Sequence, residues 1–161
     1  FPFETVLSAG ESLHIEKKSG TPLIYSAYRL KRVADEYTGD AFEIHTRLNN
    51  DSLTAGEKTT LFVTVNVKQK NAEHVMIEVP IPAGCSYASK NNYHQGREVY
   101  REYFKDRLAI FCEQLPVGTY EYKIELLPRY SGRYLLNPAK VEMMYFPVIH
   151  SNNSMRKVNI Q

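Results

Sequence analysis

Apolar and polar residues alternate with a period of two along most of the chain. In residues 59–68 (TTLFVTVNVK) the apolar positions on one face are Leu61, Val63, Val65 and Val67. The same alternation occurs in 75–81 (VMIEVPI) and 120–126 (YEYKIEL). A period of two is typical of a strand with one buried and one solvated face. The pattern therefore predicts a chain built mainly of strands.

Turn signals occur wherever the alternation breaks. They are the segments SG at 19–20, TGD at 38–40, NND at 49–51, AG at 55–56, PAG at 82–84, PVG at 116–118, SG at 131–132 and NN at 152–153. This spacing predicts an all-β fold, an antiparallel two-sheet β-sandwich of about nine or ten strands with little helix. The one helix candidate, 28–37 (YRLKRVADEY), lacks an N-cap, and we interpret it as strand followed by loop. The strand that contains Pro80 and Pro82 is expected to lie at a sheet edge or to end there.

A polar segment at 49–55 (NNDSLTA) predicts a division of the chain into two parts. We expect residues 1–50 to form a separate N-terminal group of strands, and residues 51–161 to form the main sandwich. The chain opens with Phe1-Pro2-Phe3 instead of an initiator Met, which we interpret as a segment of a larger protein.

Composition narrows the possible functions. Apolar residues make up 43% and charged residues 24%, which is sufficient for a core and a solvated surface. A net charge of +2 gives no reason to expect a nucleic-acid partner. Acidic and basic residues are interleaved, as in Arg97-Glu98 and Arg101-Glu102, so we expect a mixed-charge solvated surface. No apolar run approaches the length of a membrane span, so no membrane insertion by this segment is expected.

Motifs of catalysis are missing from the sequence. The five histidines show no H-x-H or H-x-x-x-H spacing and the cysteines no C-x-x-C spacing, so no metal site is predicted. There is no G-x-S-x-G nucleophile motif and no glycine-rich phosphate loop. The carboxylate pair Glu98/Glu102 has a charged, loop-like setting. We therefore predict a non-catalytic domain that needs no cofactor.

The segment Cys112-Glu113-Gln114 could be mistaken for half of an internal thioester. That bond needs Gln three residues after the Cys, and position 115 is Leu. Cys112 instead ends the apolar run 108–112 (LAIFC), where burial would raise the pKa of its thiol. We predict that it fills core volume on the face of Leu108 and Ile110. A disulfide with Cys85 remains an alternative.

Aromatic residues near position 100 could form a binding groove. Tyr100, Tyr103 and Phe104 alternate with basic residues, as in stacking grooves for single-stranded nucleic acid or sugar. The interpretation that we favour is an aromatic ladder on a hairpin that turns at 105–107. Tyr100 and Tyr103 are retained as candidate interaction residues.

Several phrases of the second half resemble the C-terminal region of the bacterial alpha-2-macroglobulin family. They are EVPIPAGC at 78–85, DRLAIF at 106–111, LPVGTY at 115–120, NPAKVE at 137–142 and MYFP at 144–147, in the order found in that family. Upstream, LTAGE at 53–57 is similar to the entry to the same domain. The family's tail phrase continues with an acid and a basic-Gly pair, which this chain replaces with Val148-Ile149-His150. Tyr145 and Pro147 of this phrase are further candidate interaction residues.

The resemblance implies a C-terminal macroglobulin-like β-sandwich of an endopeptidase inhibitor that traps proteases. Its expected partners are the upstream thioester and macroglobulin-like domains of the same chain and, through the whole protein, target proteases. Residues 1–50 would be strands that follow the thioester domain and pack on or complete a neighbouring sandwich. Residues 51–161 would pack against the thioester domain and shield the thioester until activation. The implied location is the periplasm, the outer membrane or the cell surface, with a role in bacterial defence.

Two alternative functions remain open, and in both the chain is a binding module instead of a domain of a protease inhibitor. LPVGTYEY at 115–122 is also close to the phrase that precedes a strand in fibronectin-III and immunoglobulin-like adhesion modules, where a tyrosine corner holds the turn. A carbohydrate-binding sandwich could use Tyr100, Tyr103 and Tyr130 as stacking platforms.

Overall fold

A computed structural model describes residues 5–6, 8, 11–21, 36–50, 52–90 and 97–161. The chain divides into two compact units, Phe1–Arg32 and Val33–Gln161. In the first unit the described residues form neither helix nor strand, and Leu13 and Ile15 are half exposed. Residues 28–35 of the helix candidate lie outside the described residues. No helix long and apolar enough to cross a membrane occurs in the ranges given above.

The second unit consists of strands joined by turns. The described residues of this unit form twelve strands: β1 (Phe42–Leu48), β2 (Ser52–Leu53), β3 (Thr59–Val67), β4 (Ala72–Pro80), β5 (Cys85–Tyr87), β6 (Glu98–Tyr103), β7 (Arg107–Leu115), β8 (Gly118–Pro128), β9 (Gly132–Leu136), β10 (Lys140–Met143), β11 (Phe146–Asn152) and β12 (Arg156–Ile160). The all-β prediction is confirmed. The strand count exceeds the prediction of nine or ten because short strands such as β2 and β5 carry too few residues to show alternation.

The strands form two large sheets and one small sheet. The first sheet has the order β1-β3-β8-β5, the second β11-β10-β4-β7-β6 and the third β2-β12-β9. Neighbouring strands are antiparallel except β2 and β12, which are parallel. Inner faces of the two large sheets share one hydrophobic core, to which β3 contributes Leu61 and β4 contributes Ile77, both fully buried. Burying one such side chain stabilises the fold by roughly 1.5–3 kcal/mol.

Of the two prolines in the predicted edge strand, Pro80 lies in a strand and Pro82 lies just after it. β4 ends at Pro80 and lies between β10 and β7, so it is a central strand. The expectation that the strand ends at the prolines is confirmed, and the alternative of an edge position is wrong. Pro80 is tolerated because it is the last residue of β4 and pairs with Arg107, the first residue of β7.

The division of the chain differs from the one that the sequence suggested. β1 pairs with β3 over its whole length, from Phe42 opposite Val67 to Leu48 opposite Leu61. Residues 42–48 therefore belong to the sandwich, and the structure places the division after Arg32 instead of after residue 50. That the first unit packs on a neighbouring sandwich stays a prediction.

Two turns are closed by the same tyrosine geometry. The Tyr120 hydroxyl donates to the Pro116 carbonyl at 2.9 Å, and the Tyr134 hydroxyl donates to the Tyr130 carbonyl at 3.0 Å. In each turn a glycine at positive φ lies two residues before the tyrosine, Gly118 at 155° and Gly132 at 153°. The turns before β8 and β9 are thus both tyrosine corners, which fix where these strands begin.

Candidate interaction surface

Five consecutive exposed residues at the β10–β11 hairpin form the most apolar surface segment in the described part of the second unit. We call residues 144–148 (MYFPV) the apolar tip; Tyr145 is 70% and Val148 is 79% exposed. No charged residue occurs between Glu142 and His150. Contiguous apolar surface of this kind marks an interaction site more often than a solvated loop.

An irregular register pushes the apolar tip outward. Met143 pairs with Phe146, whereas the preceding residue Glu142 pairs with His150, so β11 carries extra residues at 147–149. Pro147 lies in this irregularity, where its missing N–H costs no ladder hydrogen bond. Because β11 is the outermost strand of its sheet, a proline and a bulge also make that edge a poor template for an added strand. The tip therefore exposes side chains and not an open backbone edge.

His74 of β4 holds one side of the tip. Its ring meets the Tyr145 ring edge-on, with centroids 5.0 Å apart and planes at 80°. Its carbonyl accepts a hydrogen bond from the Met144 N–H at 2.8 Å. The φ of His74 is +50°, in the left-handed region that residues with a side chain seldom occupy.

His150 of β11 lies against the other side. Its Nδ1 is 3.0 Å from the Pro147 carbonyl, and its ring centroid is 4.9 Å from that of Tyr37. Tyr37 also exchanges two backbone hydrogen bonds with Asn152, at 3.0 and 2.8 Å. The apolar tip is thus contacted by His74 of β4 on one side and by His150 on the other, and His150 in turn contacts Tyr37 of the segment that leads into β1.

The sequence-predicted candidates lie at opposite edges of one sheet. Tyr145 and Pro147 are on the β10–β11 side, whereas Tyr100 and Tyr103 are on β6, the other edge strand. The structure does not bring the two pairs together. That either pair contacts a partner stays a prediction.

Tyr100 and Tyr103 do not share a surface. The register of β6 on β7 is regular from Tyr100 to Tyr103, so residues three apart point to opposite faces. Tyr100 lies beside Phe111 at 5.9 Å, and Tyr103 contacts Tyr87 edge-on at 4.9 Å and packs against the core. The predicted hairpin is present, with residues 104–106 between β6 and β7. Tyr130, the third platform candidate, is in the β8–β9 turn.

Both cysteines are buried free thiols. Cys112 is 2% exposed on the inner face with Leu108 and Ile110, as predicted, and its Sγ is 3.5 Å from the Tyr122 hydroxyl. Burial raises the pKa of the Cys85 thiol to about 11 and also raises the pKa of Cys112. A raised pKa lowers the thiolate fraction at neutral pH, so neither group has the properties of a nucleophile. β7 continues past Glu113 and Gln114 to Leu115.

A buried ion pair overturns the expectation of a solvated surface around residues 97–102. Glu98 and Arg101 are each only 6% exposed and lie within β6 instead of a loop. The Arg101 Nη2 donates to Glu98 Oε2 at 2.7 Å, and its Nη1 donates to the Lys123 carbonyl of β8 at 3.2 Å. Burial alone would lower the pKa of Arg101, but the hydrogen bond and charge of Glu98 raise it, so the guanidinium stays charged.

A β-bulge in β6, which the alternation of the sequence does not predict, causes the burial of both residues. Glu98 pairs with Cys112 but Tyr100 pairs with Phe111, so Val99 is the extra residue. The bulge turns Glu98 and Arg101, three residues apart, toward the same inner face. Regular alternation would have placed one of them outside.

Sequence reasoning also did not identify His74 as a candidate site residue, although the sequence indicates the change of face at which it lies. Between the buried residues Ala72 and Val75 stand two consecutive exposed residues, and the same occurs between Cys112 and Leu115 on the paired strand. Both strands change face at the same level. Two adjacent polar residues inside an alternating strand are the sign of such a change. Within the described ranges, no group of three or more potential metal ligands is found.

The chain is similar to known proteins in both sequence and structure. The sequence model of one protein family, the bacterial alpha-2-macroglobulin MG10 domain, matches residues 28–147. No curated protein matches the chain.

Solved structures of two bacterial proteins share the fold. An alpha-2-macroglobulin of Salmonella reacted with methylamine is 17% identical with a TM-score of 0.69, over 79% of this chain and 10% of that one. Alpha-2-macroglobulin of Escherichia coli activated by porcine elastase is 14% identical with a TM-score of 0.70, over 79% of this chain and 14% of that one. A native E. coli structure from domain MG7 to the C-terminus is 12% identical with a TM-score of 0.66, over 78% and 24%. The chain thus spans a quarter or less of the length of these proteins.

Proposed function

Because the chain belongs to the bacterial alpha-2-macroglobulin MG10 domain family, we propose that it is a non-catalytic scaffold domain of a longer endopeptidase inhibitor. In that protein it packs against the thioester domain through the apolar tip and shields the thioester until a protease triggers the trap. The observation that carries this proposal is the tip itself, five exposed residues without a charge on an edge hairpin.

The shape of the tip supports contact with a folded domain. A single aromatic ring such as Tyr145, fixed from one side and exposed on the other, is the kind of anchor that dominates protein interfaces. The bulge and Pro147 disfavour strand addition. In comparison, the carbohydrate-binding alternative has little support, because Tyr100 and Tyr103 face opposite sides of β6.

The test uses methylamine and the longer protein that contains this chain. Methylamine attacks a thioester carbonyl, forms an amide and releases the cysteine thiol, which can be titrated. Before any protease is added, the Tyr145→Ala variant is expected to incorporate methylamine about thirtyfold faster than the unmodified protein, since an interface anchor contributes roughly 2 kcal/mol. Protease inhibition after cleavage should be less affected.

Tyr130→Ala is the matched control, because Tyr130 is equally exposed, at 71%, but lies outside the tip. Equal rates for Tyr145→Ala and Tyr130→Ala would contradict shielding by the tip. The chain alone should neither incorporate methylamine nor inhibit a protease. Incorporation into this segment by itself would contradict the scaffold role.

We also propose that the longer protein is exported to the periplasm or the cell surface and protects the bacterium against foreign proteases. The support is that this chain belongs to the bacterial alpha-2-macroglobulin MG10 family, which the resemblance described above associates with exported protease traps. Cell fractionation tests it, and recovery of the longer protein in the cytoplasm alone would contradict it.

A further inference from the structure

The backbone of His74 is in an unusual conformation at the point where β4 meets the apolar tip. Its φ of +50° is rarely adopted by a residue with a side chain, and the left-handed region is disfavoured for such residues. Such outliers persist where the surrounding structure requires them and are frequent at functional sites. At His74 the requirement is visible, because β4 and β7 change face together at this level.

Two contacts connect this conformation to the tip. The His74 carbonyl accepts from the Met144 N–H at 2.8 Å, which fixes the first residue of the tip. The His74 ring contacts the Tyr145 ring at 5.0 Å in an edge-on arrangement, the preferred geometry for aromatic pairs. One residue therefore holds both the backbone and the most prominent ring of the tip from below.

We infer that His74 is a positioning residue for Tyr145: its left-handed conformation and its ring orient Tyr145 before any partner binds. The inference rests on the proposed role of Tyr145 in docking. An anchor that is already ordered loses less side-chain entropy on binding, so the interface forms at lower cost. Met144 and Phe146 flank the fixed ring, so the positions of their backbone atoms are also set before a partner binds.

Substitution of His74 by glycine separates positioning from stability. His74→Gly keeps the left-handed backbone without strain and removes the ring, so the urea midpoint of the chain should stay unchanged. The ring-current shifts of the Tyr145 protons should nevertheless disappear from the NMR spectrum. His74→Val, whose branched side chain disfavours the left-handed region, should in addition speed amide exchange at Met144 by about tenfold or more.

In the longer protein, His74→Gly should raise methylamine incorporation about three- to tenfold, as expected for loss of one aromatic edge contact. His74→Phe retains a ring at this position and should recover part of the slow rate. His45→Gly is the control, because His45 is exposed on β1 of the other large sheet; it should leave the rate unchanged.

The outcomes distinguish the inference from the proposed function. Unchanged Tyr145 ring shifts in His74→Gly would overturn the positioning role, whatever the incorporation rates are. Lost ring shifts together with faster incorporation would support it. If Tyr145→Ala accelerates incorporation but His74→Gly does not, the tip docks without help from His74 and the inference fails alone. If Tyr145→Ala itself has no effect, the proposed function fails.

Discussion

Replacement of Glu98 by Gln is expected to lower the free energy of unfolding by about 3 kcal/mol or more, the typical loss when one partner of a buried ion pair is removed. The substitution leaves the shape of the side chain almost unchanged and removes its charge. Arg101 would then be a buried cation without a carboxylate partner, since its other contacts, the Lys123 carbonyl and the Tyr103 hydroxyl, are neutral. Urea denaturation at pH 7, extrapolated linearly to water, measures the loss.

An exposed ion pair on the outer face supplies the matched control. Arg107 Nε donates to Glu78 Oε1 at 3.1 Å, but both side chains are about a third exposed. Glu78→Gln should therefore cost less than about 1 kcal/mol. The double replacement Glu98→Leu with Arg101→Met should recover most of the stability, because an apolar pair of similar volume needs no partner. A cost for Glu98→Gln no larger than that for Glu78→Gln would contradict the importance of the buried pair.

Replacement of Gly84 by Ala is expected to destabilise the domain by about 2 kcal/mol, within the usual range for overpacking. A Cβ at this position would lie 2.5 Å from two atoms of the Tyr134 ring and 2.9 Å from Ile160 Cδ1. The ring cannot easily withdraw, since its hydroxyl is held by the Tyr130 carbonyl. The Gly84 carbonyl in turn accepts from the Arg129 and Tyr130 amides, at 2.8 and 3.3 Å.

A double-mutant cycle with Tyr134→Ala identifies the cause of that loss. If the clash with the ring is responsible, Gly84→Ala should cost little in the Tyr134→Ala background. The same cost in both backgrounds, measured by urea denaturation, would show that the clash is not the reason. The glycine of the PAG segment would then have some other structural role.

Alternation predicted the regular strands because each of them has one buried face. β3 and β8 follow the pattern without interruption, from Leu61 to Val67 and from Tyr122 to Leu126. The burial of Cys112 was predictable for the same reason, since it shares a face with Leu108 and Ile110. What the period of two cannot predict is a change of phase, and the buried pair in β6 depends on one at Val99.

The long-range strand pairings and the exposure of the apolar tip could not be predicted from the sequence, for other reasons. β2 joins β12 across more than a hundred residues through a two-residue ladder, which leaves no local pattern. The run 143–149 (MMYFPVI) is apolar throughout, and a buried strand would have been the natural prediction from composition. Its exposure follows from the β10–β11 register, in which the extra residues of β11 turn the chain outward.

Hydrogen exchange at the apolar tip tests the central claim most directly. The amides of Tyr145, Phe146 and Val148 should exchange more slowly in the intact longer protein than in this chain alone, because docking on the thioester domain covers them. Cleavage by a protease should restore the fast rates. Equal exchange rates for these three amides in the isolated chain and in the intact protein would contradict docking through the tip.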